Sequence, residues 1–221
     1  MSATNPDAGG SRELASADRS GAARAFKAVF RGFEPYGRPF KASVPARLLA
    51  YEAEPWKAKP WGLNDGALVA LLQAADDHDL ERVFVSVDDP EDSSFDEGHY
   101  LLSPLNLENY THPGPTDAWP ILPHAIYPPS GQWGVISSDE SHVLVGGSEK
   151  FIDDLSAGLG KTQDEMIAAW LEDWSEHQDR DPDGELRIGD WIPAQLAHVV
   201  GPERAEVTLG ASRLRRWDLP T

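Results

Sequence analysis

Cysteine is absent from this chain of 221 residues. That absence excludes disulfides, thiolate zinc sites, iron–sulfur clusters and cysteine nucleophiles. The sequence also contains no apolar run near the roughly 18 residues that a membrane-spanning helix needs, and residues 1–21 lack the apolar stretch of a signal peptide. We therefore predict a soluble cytoplasmic protein that makes no membrane contact.

Positive charge is scarce, with 19 Lys and Arg against 37 Asp and Glu and a net charge of −18. The shortage is concentrated in residues 61–185, where four basic side chains stand beside 27 acidic ones, whereas residues 1–60 hold ten basic and six acidic. This balance argues against a nucleic acid bound through a basic face. A strong negative field steers basic proteins toward a surface, and the alternative is that the charge serves solubility alone.

Recognised catalytic spacings are also missing. The sequence has no GxxxxGK[ST], GxGxxG, GxSxG or HExxH, and its seven histidines follow no metal-ligand spacing. The abundant carboxylates of an acidic chain select no particular acid–base pair. No recognised motif therefore assigns an enzymatic activity to the sequence.

The N-terminal region predicts a leader followed by a helix. Residues 1–21 are rich in Ala, Ser, Gly and Asp and predict a disordered leader. Within residues 22–34, four apolar side chains recur at the i, i+3, i+4 and i+7 positions of an amphipathic helix. They are Phe26, Val29, Phe30 and Phe33. Such a helix either lies on a membrane or docks on its own domain, and we predict docking.

The remaining residues, 35–217, predict a single α+β domain in which several helices pack on a small, mainly antiparallel sheet. Strand and helix patterns are mixed here without the regular alternation of βαβ units. The clearest strand signal is a hairpin formed by Trp133–Ser137 and His142–Val145. Seven prolines fall between Ser103 and Trp133 and predict a long Pro-rich loop region without a regular element.

Two helices after the hairpin carry capping signals. Ser148 predicts the N-cap of a helix that ends at Gly158 or Gly160. Thr162 and Glu165 have the spacing of a capping box, in which each side chain pairs with the backbone N–H of the other residue. The helix that begins there has an apolar face formed by Ile167, Trp170, Leu171 and Trp174.

The segment 179–190 matches several positions of an EF-hand calcium loop, in which alternate carboxylates converge on one cation while a glycine makes the tight turn. The ligands in that interpretation are Asp179, Asp181, Asp183 and Asp190. Pro182 and the short side chain of Asp190 count against it, and Asp-Pro-Asp-Gly is also an ordinary β-turn. We predict the turn, with no cofactor. The alternative is a module or enzyme that uses calcium or another metal.

The block WGVISSDESHVLVGGSEKFIDDL, followed by MIAAWLEDW, resembles a segment of small actinobacterial proteins, some of which are similar to immunity proteins of polymorphic-toxin systems. The resemblance covers about residues 127–175 and brings no catalytic residues. Immunity proteins of this kind neutralise a cognate toxin by covering its active site. The resemblance therefore implies a non-enzymatic inhibitor, and we predict a basic toxin domain as the partner of a chain that is monomeric when free.

The predicted interface combines steering carboxylates with aromatic anchors. The carboxylates are Asp88, Asp89, Glu91, Asp92, Asp96 and Glu97, and the anchors are Tyr110, Trp119 and Tyr127. The alternative for the three rings is that they pack back on the domain. A further alternative is a structural subunit that docks through the Phe26 helix and the Arg-rich tail near residues 213–216.

Overall fold

A computed structural model describes residues 10–51, 63, 65–88, 90, 98–111, 123–138, 142–180 and 191–214. Within these residues, seven antiparallel strands form one sheet in the order β1-β4-β3-β5-β6-β7-β2. The strands are β1 (Gly10–Glu13), β2 (Ala46–Tyr51), β3 (Val83–Ser86), β4 (His99–Ser103), β5 (Ala125–Tyr127), β6 (Gly134–Ser137) and β7 (His142–Gly147). The predicted single α+β domain is confirmed, and its sheet is wider than predicted.

Helices cover both faces of the sheet. One face packs against α1 (Ser16–Val29), α6 (Gln163–Arg180), α7 (Trp191–Val200) and α8 (Pro202–Ala211). The other packs against α2 (Asp65–Ala74), α4 (Leu107–Thr111) and α5 (Glu149–Leu159), with the single turn α3 (Asp77–Leu80) leading into β3. Because both faces are covered, β3, β6 and β7 are buried at every position and show no alternation of polar and apolar residues.

An aromatic cluster anchors α1 on the sheet. The rings of Phe26 and Phe30 lie 4.7 Å apart, and Phe30 stacks on Phe40 at 5.4 Å. Tyr127 of β5 meets Phe26 edge-on at 5.5 Å. All four rings are fully buried, so α1 is a layer of the domain itself and the predicted docking of this helix takes the form of core packing.

The structure corrects the predicted N-terminal boundaries. Residues 10–21 do not form a disordered leader, because β1 pairs with β4 and α1 begins at Ser16. The helix also ends at Val29 and does not reach residue 34. The composition of the leader concealed β1, since an edge strand of four residues depends on a partner about 90 positions away, and a local pattern contains no information about that partner.

The Pro-rich region is also more ordered than predicted. Between Ser103 and Trp133 the chain forms α4 and β5, and all three residues of β5 are buried. Proline excludes neither element, because none of the seven prolines lies within them. By contrast, the hairpin prediction is confirmed in β6 and β7, which pair from Gly134 and Gly146 to Ser137 and Val143.

Both capping predictions are confirmed. The Ser148 side chain accepts the Phe151 N–H at 3.2 Å, and α5 is followed by Gly160 at a left-handed φ of 64°. At the start of α6 the Glu165 carboxylate accepts the Thr162 N–H at 2.8 Å, and the Thr162 hydroxyl accepts the Glu165 N–H at 3.3 Å. The Thr162 N–H and the Thr162 hydroxyl both donate to the Glu165 carboxylate and lower its pKa.

Two glycines make room for the aromatic cluster. Gly134 and Gly146 stand opposite each other on β6 and β7. A Cβ atom on Gly134 would lie 2.5 Å from Phe30 Cζ, and one on Gly146 would lie 2.6 Å from Phe40 Cδ1. The sheet therefore has no side chains at these two positions, and Phe30 and Phe40 pack directly against its backbone.

We expect Gly134→Ala to lower the free energy of unfolding by about 1–3 kcal/mol, because the added methyl group must displace a ring in a close-packed core. The measurement is urea denaturation followed by circular dichroism. Gly210→Ala is the control, since a Cβ there meets nothing within 4 Å in α8 and should stabilise the helix by up to about 1 kcal/mol. Equal stability of the two variants would show that α1 moves freely over the sheet.

Candidate functional site

One end of the sheet carries a row of buried polar side chains. Antiparallel pairing sets the last residue of β3, Ser86, beside the first residue of β4, His99, and sets the end of β6 beside the start of β7. The row consists of Tyr51, Ser86, His99, His124, Ser137, Ser138 and His142, all at most 3% exposed. We call this region the polar end of the sheet. Buried polar groups there need hydrogen-bond partners within the protein.

Both ring nitrogens of His124 lie within hydrogen-bond distance of buried hydroxyl groups. The Tyr110 hydroxyl accepts the Leu63 N–H at 2.9 Å and lies 2.9 Å from His124 Nε2. His124 Nδ1 lies 3.1 Å from Ser137 Oγ, and the Ser137 hydroxyl donates to the His124 carbonyl at 3.2 Å. These contacts hold the His124 ring between α4 and β6.

Ser138 and His142 form a similar pair on the other face of the sheet. The Gln195 amide nitrogen lies 2.8 Å from His142 Nε2, and both nitrogens lie 3.3 Å from the Pro35 carbonyl. His142 Nδ1 lies 2.9 Å from Ser138 Oγ, and the Ser138 hydroxyl donates to the His142 carbonyl at 3.0 Å. Ser138 and His142 thus join the ends of β6 and β7.

Aromatic rings surround His142 and fix two helices to the polar end. Trp191 stacks on His142 at 5.6 Å with an interplanar angle of 15°, and Trp170 lies 5.3 Å from it. Tyr36 completes the group at 6.1 Å from His142. Since Trp170 belongs to α6 and Trp191 begins α7, this packing ties both helices to the polar end.

Several segments of the chain between β2 and β7 lie outside the described residues, and we call them the connections. All of them join the described residues at the polar end. Leu63 and Tyr110 are hydrogen-bonded there, as are Val87 with Gly98 at 3.1 Å and Ser138 with His142 at 3.1 Å. The connections comprise residues 52–62, 64, 89, 91–97, 112–122 and 139–141, and their sequences contain ten Asp or Glu against two Lys. The topology therefore attaches a strongly acidic part of the chain to this end.

Carboxylates of α6 extend the negative charge next to the polar end. Burial, the Asp173 side chain and the charge of Glu176 together raise the pKa of Tyr51, which shows that the second half of α6 lies against the last residue of β2. Nearby, Arg213 pairs with Glu172 and Arg180 pairs with Glu176 at 3.0 Å. These exposed pairs neutralise part of the acidic surface of α6.

The structure places two of the predicted aromatic anchors in the core, so their prediction as exposed residues is wrong. Tyr110 is 3% exposed and Tyr127 is fully buried. The Tyr127 hydroxyl lies 2.7 Å from Ser86 Oγ, and burial raises the pKa of Tyr110. Both phenols have hydrogen-bond partners inside the domain, which removes the cost that would otherwise keep them at the surface.

The other predicted interface residues are only partly covered. Asp88 is half-buried directly after β3, at the polar end. The rest of the predicted interface lies outside the described residues and stays a prediction: Asp89, Glu91, Asp92, Asp96, Glu97 and Trp119.

The predicted metal ligands are described at one position. Asp179 is exposed in the last turn of α6, whereas Asp181, Asp183 and Asp190 lie outside the described residues. Among the residues that the structure does describe, no three His, Asp or Glu side chains are grouped as metal ligands would be. The metal alternative thus stays a prediction.

A basic pocket at the opposite end of the sheet was missed by the sequence analysis. Its volume is about 560 Å³, and its lining includes the charged side chains of Arg31, Arg38, Lys41 and Arg47 together with His198 of α7. The excess of basic residues in the first 60 positions was the available signal. It was not decisive, because these side chains are irregularly spaced and His198 is distant in sequence.

Comparisons with known proteins leave the family open: no protein-family model matches the chain, and no match was found among curated proteins or solved structures. Within the described residues, no helix has the length and apolar character needed to cross a membrane.

Proposed function

We propose that this chain is an immunity-type inhibitor that binds a basic protein, such as a toxin domain, through the acidic connections at the polar end of the sheet. The observation that carries the proposal is topological. The acidic connections outside the described residues, from β2 to β7, join the structure at one end, and Asp88 lies at that end. Charge that is dispersed along the sequence is therefore attached to one region of the molecule.

The buried polar end beneath these connections supports binding. His124 and His142 are each hydrogen-bonded inside the domain, to Ser137 and Ser138 respectively. A base whose polar side chains are already ordered in this way reduces the entropy lost when the connections bind a partner.

Negative charge at this end favours a basic partner and a fast encounter. Clustered carboxylates raise the association rate of an oppositely charged protein by roughly 10- to 1000-fold at low ionic strength, and salt screens the effect. Trp119 belongs to the same connections and is the remaining predicted anchor. An aromatic anchor acts on dissociation, so the two kinds of residue have separable kinetic effects.

The test starts from capture of the partner by the full chain at low ionic strength and its identification by mass spectrometry. Association and dissociation rates are then measured at low and high salt, together with inhibition of the partner's activity. Reversing Asp88, Asp89, Glu91 and Asp92 to Lys should slow association about tenfold or more at low salt, and less at high salt. Trp119→Ala should raise the dissociation rate with little change in association.

A matched variant controls for net charge. Reversal of Asp76, Asp77, Glu149 and Asp153, which are exposed at the opposite end of the sheet, changes the total charge equally. It should leave the association rate near that of the wild type. Equal slowing by both sets would show that net charge, and not the polar end, steers the partner. A captured protein that keeps its full activity in the complex would overturn the inhibitory function.

A further inference from the structure

We propose that the basic pocket binds a small polyanion of the phosphate class, such as a phosphate ester or diphosphate. This inference is independent of the proposed function, since the pocket and the polar end lie at opposite ends of the sheet. The pocket lies where the chain enters β2, against the C-terminal half of α7.

Four cationic side chains converge on this pocket, and the part of the chain that the structure describes holds no neutralising partner for them. Among the described residues, no carboxylate forms a salt bridge with Arg31, Arg38, Lys41 or Arg47, although the protein has nearly twice as many acidic as basic side chains. Glu34, the acidic residue closest in sequence, accepts the backbone N–H of Arg38 at 3.2 Å. The pocket therefore holds an uncompensated positive charge that a bound anion would neutralise.

Arg47 is fixed in place by the backbone around the pocket. It donates to the His198 carbonyl at 3.1 Å and to the Lys41 carbonyl at 2.9 Å, while its buried Nε has no hydrogen-bond partner among the described residues. Two neutral carbonyls leave its charge uncompensated, and burial lowers its pKa. A phosphate oxygen would supply the charge that these carbonyls lack, because guanidinium and phosphate form strong charge-assisted hydrogen bonds.

His198 adds a donor and a flat wall. Its ring stacks on Phe40 at 5.9 Å with an interplanar angle of 6°, and its Nε2 accepts the Phe40 N–H at 3.2 Å. The neutral ring therefore carries its proton on Nδ1 and can donate it. Burial, followed by the charges of Arg47, Arg38 and Arg31, lowers the pKa of His198 to about 4, which shows how closely the arginines converge.

The chemistry of the pocket favours phosphate over a monovalent carboxylate. Several guanidinium groups with parallel donors match the three oxygens of a phosphate, and the cavity exceeds the size of a single inorganic anion. A ligand with two phosphates, or with one phosphate and an organic group, would fill it better. We therefore expect pyrophosphate to bind more tightly than inorganic phosphate.

The experiment titrates the full chain with inorganic phosphate, pyrophosphate and sulfate by isothermal calorimetry and by phosphorus NMR at low ionic strength. Wild-type protein should bind pyrophosphate with a stoichiometry near one. The variant with Arg31→Gln and Arg38→Gln should bind at least about tenfold more weakly, because each lost guanidinium removes charge-assisted hydrogen bonds. Both side chains are exposed, so the melting temperature without ligand should not change. Arg47→Gln is avoided, since it would also release the backbone that Arg47 holds.

The control variant carries Arg204→Gln and Arg213→Gln, two exposed arginines that pair with Asp164 and Glu172. It removes the same charge outside the pocket and should retain wild-type affinity. Absence of pyrophosphate binding by wild-type protein at millimolar concentration would overturn the proposal. Equal weakening in both variants, or unchanged binding after substitution of Arg31 and Arg38, would also overturn it. Tighter binding of phosphate than of pyrophosphate would refute the two-phosphate specificity.

Discussion

Deletion of residues 1–34 is expected to abolish cooperative folding. The deletion removes β1, which pairs with β4 at the sheet edge, and all of α1. It also removes the four large buried apolar side chains of this segment: Leu14, Phe26, Val29 and Phe30. At about 1.5–3 kcal/mol for each, their burial contributes roughly 6–12 kcal/mol, which is comparable to the whole stability of a typical domain.

The measurement is thermal unfolding followed by circular dichroism, with amide dispersion by NMR as a second readout of tertiary structure. Deletion of residues 1–9 is the control, because it ends before β1. The stability of the chain that lacks residues 1–15 should lie between those of the other two deletions, since this cut removes the edge strand and Leu14 but leaves α1. A cooperative transition at the wild-type temperature after the 1–34 deletion would show that α1 is a separable arm.

The parts of the fold that the sequence predicts well are those built from local interactions. The capping box of Thr162 and Glu165 spans three residues, and the hairpin of β6 and β7 joins strands separated by only a few residues. Each pattern contains all the groups that form its hydrogen bonds. Such signals specify an element whatever the rest of the chain does.

Elements that depend on distant partners were missed. β1 is a strand because β4 offers it hydrogen bonds, and β5 is a strand because β3 and β6 flank it. Neither segment has enough length or alternation to reveal this. The same reason explains the wrong prediction for Tyr127, since only the arrival of Phe26 and Phe30 from α1 makes its position a core position.

The same distinction between local patterns and long-range contacts applies to the candidate sites. The acidic character of the central region is visible in the composition, but its attachment to one end of the sheet requires the strand order. The basic pocket combines residues near position 40 with His198, more than 150 positions away. The two candidate sites lie at opposite ends of the sheet, and charges separated by more than roughly 10 Å are largely screened at 0.1 M salt. Substitutions at one site should therefore leave binding at the other unchanged, which makes the two proposals separable.

Trp170→Ala is expected to lower the free energy of unfolding by about 3–5 kcal/mol. Trp170 is fully buried, and its ring lies 5.3 Å from that of His142 and 5.8 Å from that of Trp191. Its Nε1 has no hydrogen-bond partner among the described residues, so the loss comes from apolar contacts and from the cavity left behind. The measurement is urea denaturation followed by far-UV circular dichroism.

Trp174→Ala is the matched control on the same helix. Trp174 lies one turn further along α6 and contacts Trp191 at 5.6 Å, but it is only partly buried. The space left when its ring is removed is open to solvent, so the enclosed cavity is smaller. The expected loss of unfolding free energy is therefore about half that of Trp170→Ala or less. In the sequence pattern both residues share one apolar face, and only the packing of His142 from β7 and Trp191 from α7 distinguishes them. Equal losses from the two substitutions would contradict the central position of Trp170 in the packing at the polar end.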